Sequence, residues 1–261
     1  MKLAIVGAGK MGGAVLLGAL RAGVMQANDV GIYHPDARRL EELSDHYGVC
    51  GLDDDTVHHA EHVLIAVKPQ YFDEVAPLIA QRNASYISIM AGVSAKTIAK
   101  RVGSNRVVRA MPNLGARVGL SATALAHLPQ ATPEDIGTAE QLFTAVGTVH
   151  HVPETLFDAF TGLAGSGPAF AAIVAEALSD GGVRVGFNRD TSRELARQVL
   201  LATAKLLEAS PPAALKDEVA SAGGTAIAGV KALEQHGLRY ALIAAVEAAS
   251  ERARALSREE A

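Results

Sequence analysis

The opening segment of the chain constrains its fold more than any other. Residues 2–6 (KLAIV) have the pattern of a short buried strand, and a glycine-rich turn, 7–12 (GAGKMG), follows without a break. Residues 13–20, rich in Gly, Ala and Leu, then predict a helix. A strand, a G-x-G-x-x-G turn and a helix in this order are the fingerprint of a dinucleotide-binding site, with a purely structural glycine turn as the alternative.

The three glycines of this motif have different physical roles. Gly7 permits a tight turn, Gly9 lets the backbone come close to a pyrophosphate, and Gly12 lets the helix pack against the strand. The amino terminus of the helix adds unpaired N–H groups and a partial positive charge. The segment therefore predicts a phosphate-binding turn.

Strand and helix patterns alternate through the first half of the chain. Further strands are predicted at 29–33, 62–67, 85–90 and 106–110, and helices at 36–47 and 71–80. This alternation predicts an α/β Rossmann-type, doubly wound parallel sheet, whose ligands bind beyond the carboxyl ends of the strands. The residues expected at that rim are Gly7, His34, Lys68, Gly92 and Asn113.

From Pro153 onward the strand patterns stop and helical patterns dominate. Helices are predicted from Ser166 to Asp180 (ended by Gly181-Gly182), from Asp190 to Glu208, and at 213–219, 224–235 and 238–256, with a fraying charged tail from Arg252. We therefore predict a dinucleotide-binding domain at 1–152 and an all-α domain at 153–261. His150 and His151 are expected in the turn between the two domains.

The helical half contains long stretches with few charges. Residues 169–178, 222–233 and 241–249 offer more apolar surface than a small lone bundle usually hides. We interpret this surface as an oligomer interface, in the simplest case a two-fold dimer with interleaved helices. Packing against the first half of the chain is the alternative.

Composition narrows the classes of partner and location. A formal net charge of -4 argues against a nucleic-acid-binding surface. No window is expected to be apolar over the ~18 residues that a membrane span needs. The chain enters a strand at once, which leaves no room for a signal peptide. Cys50 is the single cysteine, which we expect in the core, and a reducing, cytoplasmic location follows.

Two histidines have a spacing that suits a metal ion. His58 and His62 are separated by four residues, as in a helical zinc pair. No carboxylate or cysteine is placed as a third ligand, and Glu61 lies off that helix face. No metal site is therefore predicted.

The end of the second predicted strand indicates which dinucleotide binds. An NAD-selective site usually has Asp or Glu there to bind the ribose 2′-hydroxyl, whereas this chain has Tyr33-His34-Pro35. Arg38 and Arg39 follow closely and suit a 2′-phosphate. NADP(H) is the expected cofactor, with NAD(H) as the alternative. Asp36 fits a helix cap, and the two arginines could equally be solvated helix charges.

With these motifs placed, the chain resembles the pyrroline-5-carboxylate reductase family, which catalyses the last step of proline synthesis. The matching segments are 7–12 (GAGKMG), 66–69 (AVKP), 91–93 (AGV), 109–113 (RAMPN), 165–170 (GSGPAF) and the block 215–234. The resemblance implies reduction of 1-pyrroline-5-carboxylate to L-proline by NAD(P)H. It also implies a helical dimerisation domain, an active site between the nucleotide domain of one subunit and the helical domain of its dimer partner, and assembly up to a ring of five dimers.

The resemblance also assigns residues to roles. Ser221, Gly223, Gly224 and Thr225 would hold the imino-acid substrate, with Thr225 as the catalytic hydrogen-bond donor. Cofactor contacts would come from Gly7, Ala8, Gly9, Lys10, Met11, Gly12, His34, Asp53, Ala66, Val67, Lys68, Pro69 and Ala91, and the charge argument adds Arg38.

Some positions depart from the family pattern. The family usually has a proline at the position of Ala222 and a threonine at that of Ala226, where the threonine donates near the imine nitrogen. Thr225 is the available substitute, although one helical step rotates a side chain by about 100°. The family's Asn-Thr-Pro is Asn113-Leu114-Gly115 here, and an asparagine that approaches the nucleotide is Asp53.

Three other functions remain open at this stage. One is a reductase of another cyclic imine. Another is a 3-hydroxyacid dehydrogenase, which would use a helix lysine near the domain junction, although the first lysine after that junction is Lys205. A non-catalytic NADP(H)-binding regulator is the third.

Overall fold

The computed structural model describes residues 1–81 and 83–259, which form two compact units. The first unit comprises residues 1–166 together with the C-terminal residues from Ala248, and the second comprises residues 167–247. The first is built on a sheet, and the second is helical.

The first unit contains an eight-stranded sheet with the order β3-β2-β1-β4-β5-β6-β7-β8. Its strands are β1 (Leu3–Val6), β2 (Val30–Tyr33), β3 (Cys50–Leu52), β4 (His62–Ile65), β5 (Ser85–Ser88), β6 (Val107–Met111), β7 (Ser121–His127) and β8 (Gly147–His151). The helices of this unit are α1 (Lys10–Arg21), α2 (Ala37–Tyr47), α3 (Phe72–Ile79), α4 (Ala95–Val102), α5 (Pro133–Thr144) and α6 (Phe157–Phe160). Short 3₁₀ turns lie at Pro69–Tyr71, Leu114–Val118 and Glu154–Leu156, and a π-helical turn lies at Thr161–Gly165.

The predicted α/β alternation is confirmed, and the sheet is mixed rather than wholly parallel. The first six strands across the sheet, from β3 through β2, β1, β4 and β5 to β6, pair in parallel. Strand β7 runs antiparallel to β6 and parallel to β8. Only nine residues, 112–120, join β6 to β7. A parallel crossover needs about a dozen residues or more, so this connection returns the chain antiparallel.

Two apolar layers cover the faces of the sheet. Alternate residues of β1 belong to different layers, Leu3 and Ile5 to one, and Ala4 and Val6 to the other. Every residue of β1 is buried, as expected for a central strand covered on both faces. The sequence pattern predicted a buried strand here, and the structure places that strand in the interior of the sheet.

Three residues of the first unit differ from the sequence expectations. Cys50 begins the edge strand β3, which the sequence analysis did not predict, and it is exposed rather than in the core. His150 and His151 lie in β8, another edge strand, and not in an interdomain turn. Edge strands bury one side at most, so their sequences lack the apolar run that identifies a central strand.

The second unit consists of helices α7 (Gly167–Arg184), α8 (Arg189–Leu206), α9 (Pro212–Val219) and α10 (Thr225–Gln235), and of the first part of α11 (Leu238–Glu259). Helix α7 continues past Gly181-Gly182, where the sequence predicted its end. A side chain at Gly182 would overlap the hydroxyl of Ser192 on α8, so this glycine allows two helices to pack closely. Helix α8 begins at Arg189, one residue before its predicted start, and Asn188 caps it by accepting from the N–H of Thr191.

Helix α11 continues to Glu259 and does not fray from Arg252 as predicted. Its last turns belong to the first unit, where the Ser257 hydroxyl donates to Asp158 Oδ1 at 2.8 Å. Backbone atoms of Leu256 and Ser257 also lie 3.6 Å from where a Cβ of Gly92 would stand. These contacts order a segment that its charge alone suggested would be loose.

The helical unit has almost no core of its own. Among its residues, 167–247, only Ser179, Ser192 and Ala196 are buried. Large apolar side chains are exposed instead, among them Ile173, Val185, Leu201 and Ile243. Burial of apolar surface is the main favourable term in folding, so this unit needs a partner surface to be stable.

One expectation about apolar windows was wrong. Among the described residues, one helical run, Glu154–Arg184, is long and apolar enough to cross a membrane by length and composition, with a mean hydropathy of 1.2. The run is uninterrupted because the helix does not break where it was predicted to begin, at Ser166. A single such helix is weak support for a membrane span, since helices that pack against a protein partner have the same composition.

A buried ion pair joins helix α5 to the start of β6. Asp135 is fully buried, and it accepts hydrogen bonds from Arg106 Nε at 2.9 Å and from an Arg106 terminal nitrogen at 2.6 Å. The same carboxylate completes the capping box of α5 with Thr132. Burial alone would raise the pKa of Asp135, but the bonds from Arg106 and Thr132 lower it from 3.8 to about 2.

Asp135→Asn is expected to lower the free energy of unfolding by about 3–5 kcal/mol, because Arg106 loses its charged partner. The lowered pKa also predicts that this stabilisation is complete above about pH 4 and is lost as the pH falls through about 2. Urea denaturation between pH 2 and pH 7 at fixed protein concentration measures both effects. Asp73→Asn, which breaks the exposed pair with Arg101, is the matched control and should cost less than about 1 kcal/mol. Equal losses in the two variants would contradict this role of the pair.

Candidate cofactor and substrate sites

The glycine turn after β1 has the geometry of a phosphate-binding loop. Gly7 has a φ of +92°, and a Cβ there would lie 2.8 Å from the backbone nitrogen of Val67. The N–H of Gly9 donates to the carbonyl of Gly7 at 2.8 Å and closes the turn. Only glycine combines this conformation with this close approach.

Gly12 and Gly9 differ in what surrounds them. A Cβ on Gly12 would lie 2.7 Å from the Gly7 carbonyl oxygen and 2.9 Å from Ala66 Cβ. A Cβ on Gly9 would have no atom of the described residues within 4 Å. Gly12 is therefore required by packing within the protein, whereas the open side of Gly9 leaves space for a ligand.

The amino terminus of α1 suits an anion. Gly9 is its N-cap residue and has no side chain, so it cannot cap the N–H groups of the first turn. The first turn contains no acidic residue, and Lys10 is exposed beside it. Uncapped N–H groups at the positive end of a helix dipole fit the pyrophosphate of a dinucleotide.

Other predicted residues lie at the same edge of the sheet. Ala66 and Val67 follow β4 and contact the turn at Gly7 and Gly12, and the N–H of Ala66 donates to the carbonyl of Val6 at 2.8 Å. Lys68 is exposed and precedes the 3₁₀ turn that begins at Pro69. Ala91 is exposed in the loop after β5.

A cleft of about 540 Å³ lies beyond the ends of β2 and β3. It is lined by Tyr33, His34, Pro35, Ala37, Leu40, Leu52, Asp53, Asp54, Asp55 and Leu78. The Tyr33 hydroxyl donates to Asp54 Oδ1 at 2.7 Å, and burial together with this bond raises the pKa of Tyr33 to about 12. Hydrogen bonds from the side chain and backbone of Thr56 lower the pKa of Asp53, which is thus ionised at neutral pH.

Arg38 and Arg39 lie outside the lining of this cleft. Both pair with Glu42 on the same helix, Arg38 at 3.6 Å and Arg39 at 2.9 Å. Asp36 caps α2 by accepting from the N–H of Arg39 at 3.1 Å, as the sequence suggested. The contact between Arg38 and a 2′-phosphate stays a prediction.

A buried arginine that the sequence analysis did not assign holds the loop after β5. Arg109 donates to Glu154 Oε1 at 2.9 Å and to the Met90 carbonyl at 3.3 Å, and its guanidinium lies 4.6 Å from the centre of the Phe157 ring. Glu154 Oε1 also accepts from the N–H of Ala95 at 2.7 Å. These bonds fix both ends of the loop that contains Ala91. The partners are 45 residues apart in sequence, so no local pattern reveals them.

Asn113, expected at the rim, uses its side chain inside the protein. Its Oδ1 accepts from the N–H of Gly115, and its Nδ2 donates to the carbonyl of Ala164 at 2.9 Å. Pro168, four residues after Ala164, has no N–H to offer that carbonyl. Asn113 therefore ties the end of β6 to the π-helical turn.

The histidine pair with metal-like spacing does not share a helix. His58 lies in a 3₁₀ turn, and His62 begins β4, where its ring nitrogens contact the hydroxyls of Ser85 and Thr138 at 2.5 and 3.3 Å. Within residues 1–81 and 83–259, no three His, Cys, Asp or Glu side chains gather as metal ligands.

In the second unit, residues 221–224 form a tight turn before α10. The N–H of Gly224 donates to the Ser221 carbonyl at 3.0 Å, and Gly223 has a φ of +69°. A Cβ at Gly224 would overlap the Ser221 hydroxyl and lie 3.2 Å from the Ser221 carbonyl oxygen, so a side chain there would displace the hydroxyl. Gly224 caps α10 without a side-chain bond, and Ser221 and Thr225 are exposed. Hydroxyls and uncapped N–H groups of this kind suit a carboxylate.

Comparisons with known proteins agree with both parts of this description. Residues 154–256 match the family model for pyrroline-5-carboxylate reductase dimerisation, and residues 2–92 match that for NADP oxidoreductase, coenzyme F420-dependent. A pyrroline-5-carboxylate reductase from Thermus thermophilus is 48% identical over the full length of both chains. Two solved structures each cover 98% of both chains: a pyrroline-5-carboxylate reductase from Coxiella burnetii (29% identity, TM-score 0.89) and a pyrroline carboxylate reductase from Plasmodium falciparum with NADP bound (27% identity, TM-score 0.87).

Alanine substitutions at Gly9 and Gly12 should affect different properties, nucleotide affinity in the first case and stability in the second. Gly9→Ala is expected to leave the thermal midpoint unchanged and to raise the dissociation constant for NADPH by at least about tenfold, because its methyl group points into open space beside the phosphates. Gly12→Ala should lower the free energy of unfolding by about 1–3 kcal/mol, because its methyl group meets the Gly7 carbonyl. Thermal denaturation and fluorescence titration measure the two effects. Normal nucleotide binding by Gly9→Ala would refute the assignment of the phosphate site.

Proposed function

The chain belongs to the pyrroline-5-carboxylate reductase family, and from this premise we propose which of its residues bind the cofactor and which bind the substrate. It is an NADP(H)-dependent oxidoreductase that reduces 1-pyrroline-5-carboxylate to L-proline, the last step of proline biosynthesis. The full-length 48% identity to a reductase of that name is the observation that carries the function. NAD(H) is the alternative cofactor.

We propose that the first unit binds the dinucleotide along the carboxyl ends of its parallel strands. The pyrophosphate would lie on the turn from Gly7 to Gly12, with Lys10 as its nearest cation. The adenosine end would lie in the cleft lined by His34 and Asp53, near Arg38. The nicotinamide end would lie toward Ala66, Val67, Lys68, Pro69 and Ala91. The open side of Gly9 and the uncapped start of α1 support this arrangement.

We propose that the turn at 221–225 binds the substrate. The Ser221 hydroxyl and the N–H groups at the start of α10 would hold the carboxylate, and the Thr225 hydroxyl would lie beside the imine nitrogen. Gly223 has a positive φ that strains any other residue, and a side chain at Gly224 would displace the Ser221 hydroxyl. Both observations support a turn that brings backbone N–H groups to a ligand.

The reaction does not require a strong acid or base from the protein. When bound, the reduced nicotinamide supplies the hydride that the imine carbon accepts. A protonated cyclic imine is already electrophilic, so the protein must mainly orient the two reactants and exclude water. Residues with uncharged donors, such as Ser221 and Thr225, are sufficient for that task.

We propose the following organisation around this chemistry. Residues 1–152 would form the dinucleotide-binding domain, and residues 153–261 the helical dimerisation and substrate domain. The chain forms homo-oligomers through its dimerisation domain. The exposed apolar side chains of residues 167–247 support that assembly. A ring of five dimers, a cytoplasmic location and the absence of a membrane or nucleic-acid partner are further parts of the proposal.

Steady-state oxidation of NADPH in the presence of 1-pyrroline-5-carboxylate tests the proposed reaction directly. Turnover with this substrate, with proline as the product, is the expected result. Turnover only with a larger cyclic imine or a 3-hydroxyacid would assign the chain to one of the alternative reductases. Binding of NADPH without turnover of any of these substrates would indicate the non-catalytic regulator.

Ala226→Thr is expected to raise kcat, because it restores a hydroxyl donor where charge changes during the reaction. One such donor is typically worth ~10²–10³ in rate, and partial compensation by Thr225 would reduce the gain to about tenfold. Ala228→Thr, on an exposed position of the same helix, is the matched control and should leave kcat unchanged. An unchanged kcat in Ala226→Thr would show that this position does not face the reacting imine.

Ser221→Ala is expected to raise KM for the imino acid by about 10- to 100-fold, because a hydrogen bond to a charged carboxylate is lost. KM for NADPH should not change, since the first unit binds the cofactor. Ser210→Ala, in the loop before α9, is the control. Equal effects on the two KM values would contradict a specific role in carboxylate binding.

A further inference from the structure

The ends of β2 and β3 lie side by side, and this arrangement changes the interpretation of the cofactor site. The two strands pair in parallel, with Tyr33 opposite Leu52 at their carboxyl ends. His34 follows β2 and Asp53 follows β3, and both residues line the same cleft. The structure therefore supplies, from β3, a carboxylate beside the end of β2, where the sequence of β2 itself has none.

A carboxylate at this point of a dinucleotide-binding sheet accepts hydrogen bonds from the ribose 2′-hydroxyl of NAD and repels the 2′-phosphate of NADP. The lining of the cleft contains Asp53, Asp54 and Asp55 and no arginine. Arg38 and Arg39, the nearest cations in sequence, are paired with Glu42 on their own helix. The charge balance at the cleft is thus less favourable to a 2′-phosphate than the sequence of α2 indicated.

The carboxylate of Asp53 is held ready for a ligand. Thr56 donates to Asp53 Oδ1 from its backbone N–H at 2.8 Å and from its hydroxyl at 2.6 Å. Both bonds end on the same oxygen, and the exposed side chain lines the cleft, where a ribose hydroxyl can reach it. Asp54 is fixed separately by the Tyr33 hydroxyl.

We propose that Asp53 is the residue that distinguishes the two cofactors, and that it limits the preference for NADPH so that NADH also serves. The proposal rests on the cofactor site proposed above, and it assigns to this chain's aspartate a role that the basic residues of α2 were expected to fill. In this proposal His34 and the arginines favour the 2′-phosphate of NADPH, and Asp53 opposes it. The relative affinity for NADPH and NADH is the difference between these two effects.

Asp53→Asn tests the proposal, because it removes the charge and keeps an oxygen that can accept from Thr56. Calorimetric titrations with adenosine 2′,5′-bisphosphate and with AMP isolate the 2′ position from the rest of the cofactor. Fluorescence titrations with NADPH and NADH then extend the comparison to the complete molecules. We expect the ratio of the NADH to the NADPH dissociation constant to rise by about tenfold in the variant. The ratio of the dissociation constant for AMP to that for adenosine 2′,5′-bisphosphate should rise in parallel.

Asp45→Asn is the matched control, since it removes the same charge from an exposed position of α2 that does not line the cleft. Its ratio should equal that of the unmodified protein. The difference between Asp53→Asn and Asp45→Asn should also shrink as salt is raised from 0.05 to about 0.5 M, because exposed charges are then screened.

An Asp53→Asn ratio equal to that of Asp45→Asn would overturn the proposal, as would an equal change for both cofactors. These results differ from a failure of the proposed function. If the unmodified chain binds neither NADPH nor NADH, the cofactor site itself is refuted. If it binds both and the ratio does not respond to Asp53, only the role of this residue is lost.

Discussion

The close packing of Gly12 against the Gly7 carbonyl and Ala66 is the contact on which the proposed cofactor site depends. Because no side chain intervenes, α1 begins directly at the ends of β1 and β4, and its first-turn N–H groups lie at the edge of the sheet where the strands end. A methyl group at either glycine would push the helix away from the strands. The anion site is thus a consequence of helix–sheet packing, and it needs no charged side chain to exist.

The two units differ in how they are stabilised. The first has an apolar layer on each face of its sheet and buried ionic ties such as Arg106–Asp135 and Arg109–Glu154. The second buries only two serines and one alanine, and it exposes large apolar side chains along its helices. A unit of this composition reaches a stable state when another surface covers it, which agrees with the match of residues 154–256 to a dimerisation family.

Local patterns predicted the parts of the structure that local forces decide. The buried strands β1, β4, β5 and β6, the capped helix α2 and the two glycine turns all follow from residues within a few positions of one another. Strands β3 and β8 were missed because edge strands do not carry a continuous apolar pattern. Helix α7 was predicted to end at Gly181-Gly182, because the reason for Gly182, close packing against Ser192, lies on another helix.

The sequence by itself determined that a strand, a glycine turn and a helix form a phosphate-binding start, and that a helical half follows it. Only the tertiary structure decided which side chains meet at the cleft beyond β2 and β3 and at the loop of Ala91. Asp53 adjoins His34 because β3 pairs in register with β2, and Arg109 reaches Met90 because β6 lies beside β5. Strand order and register bring together residues that are distant in sequence, and no local periodicity records those pairings.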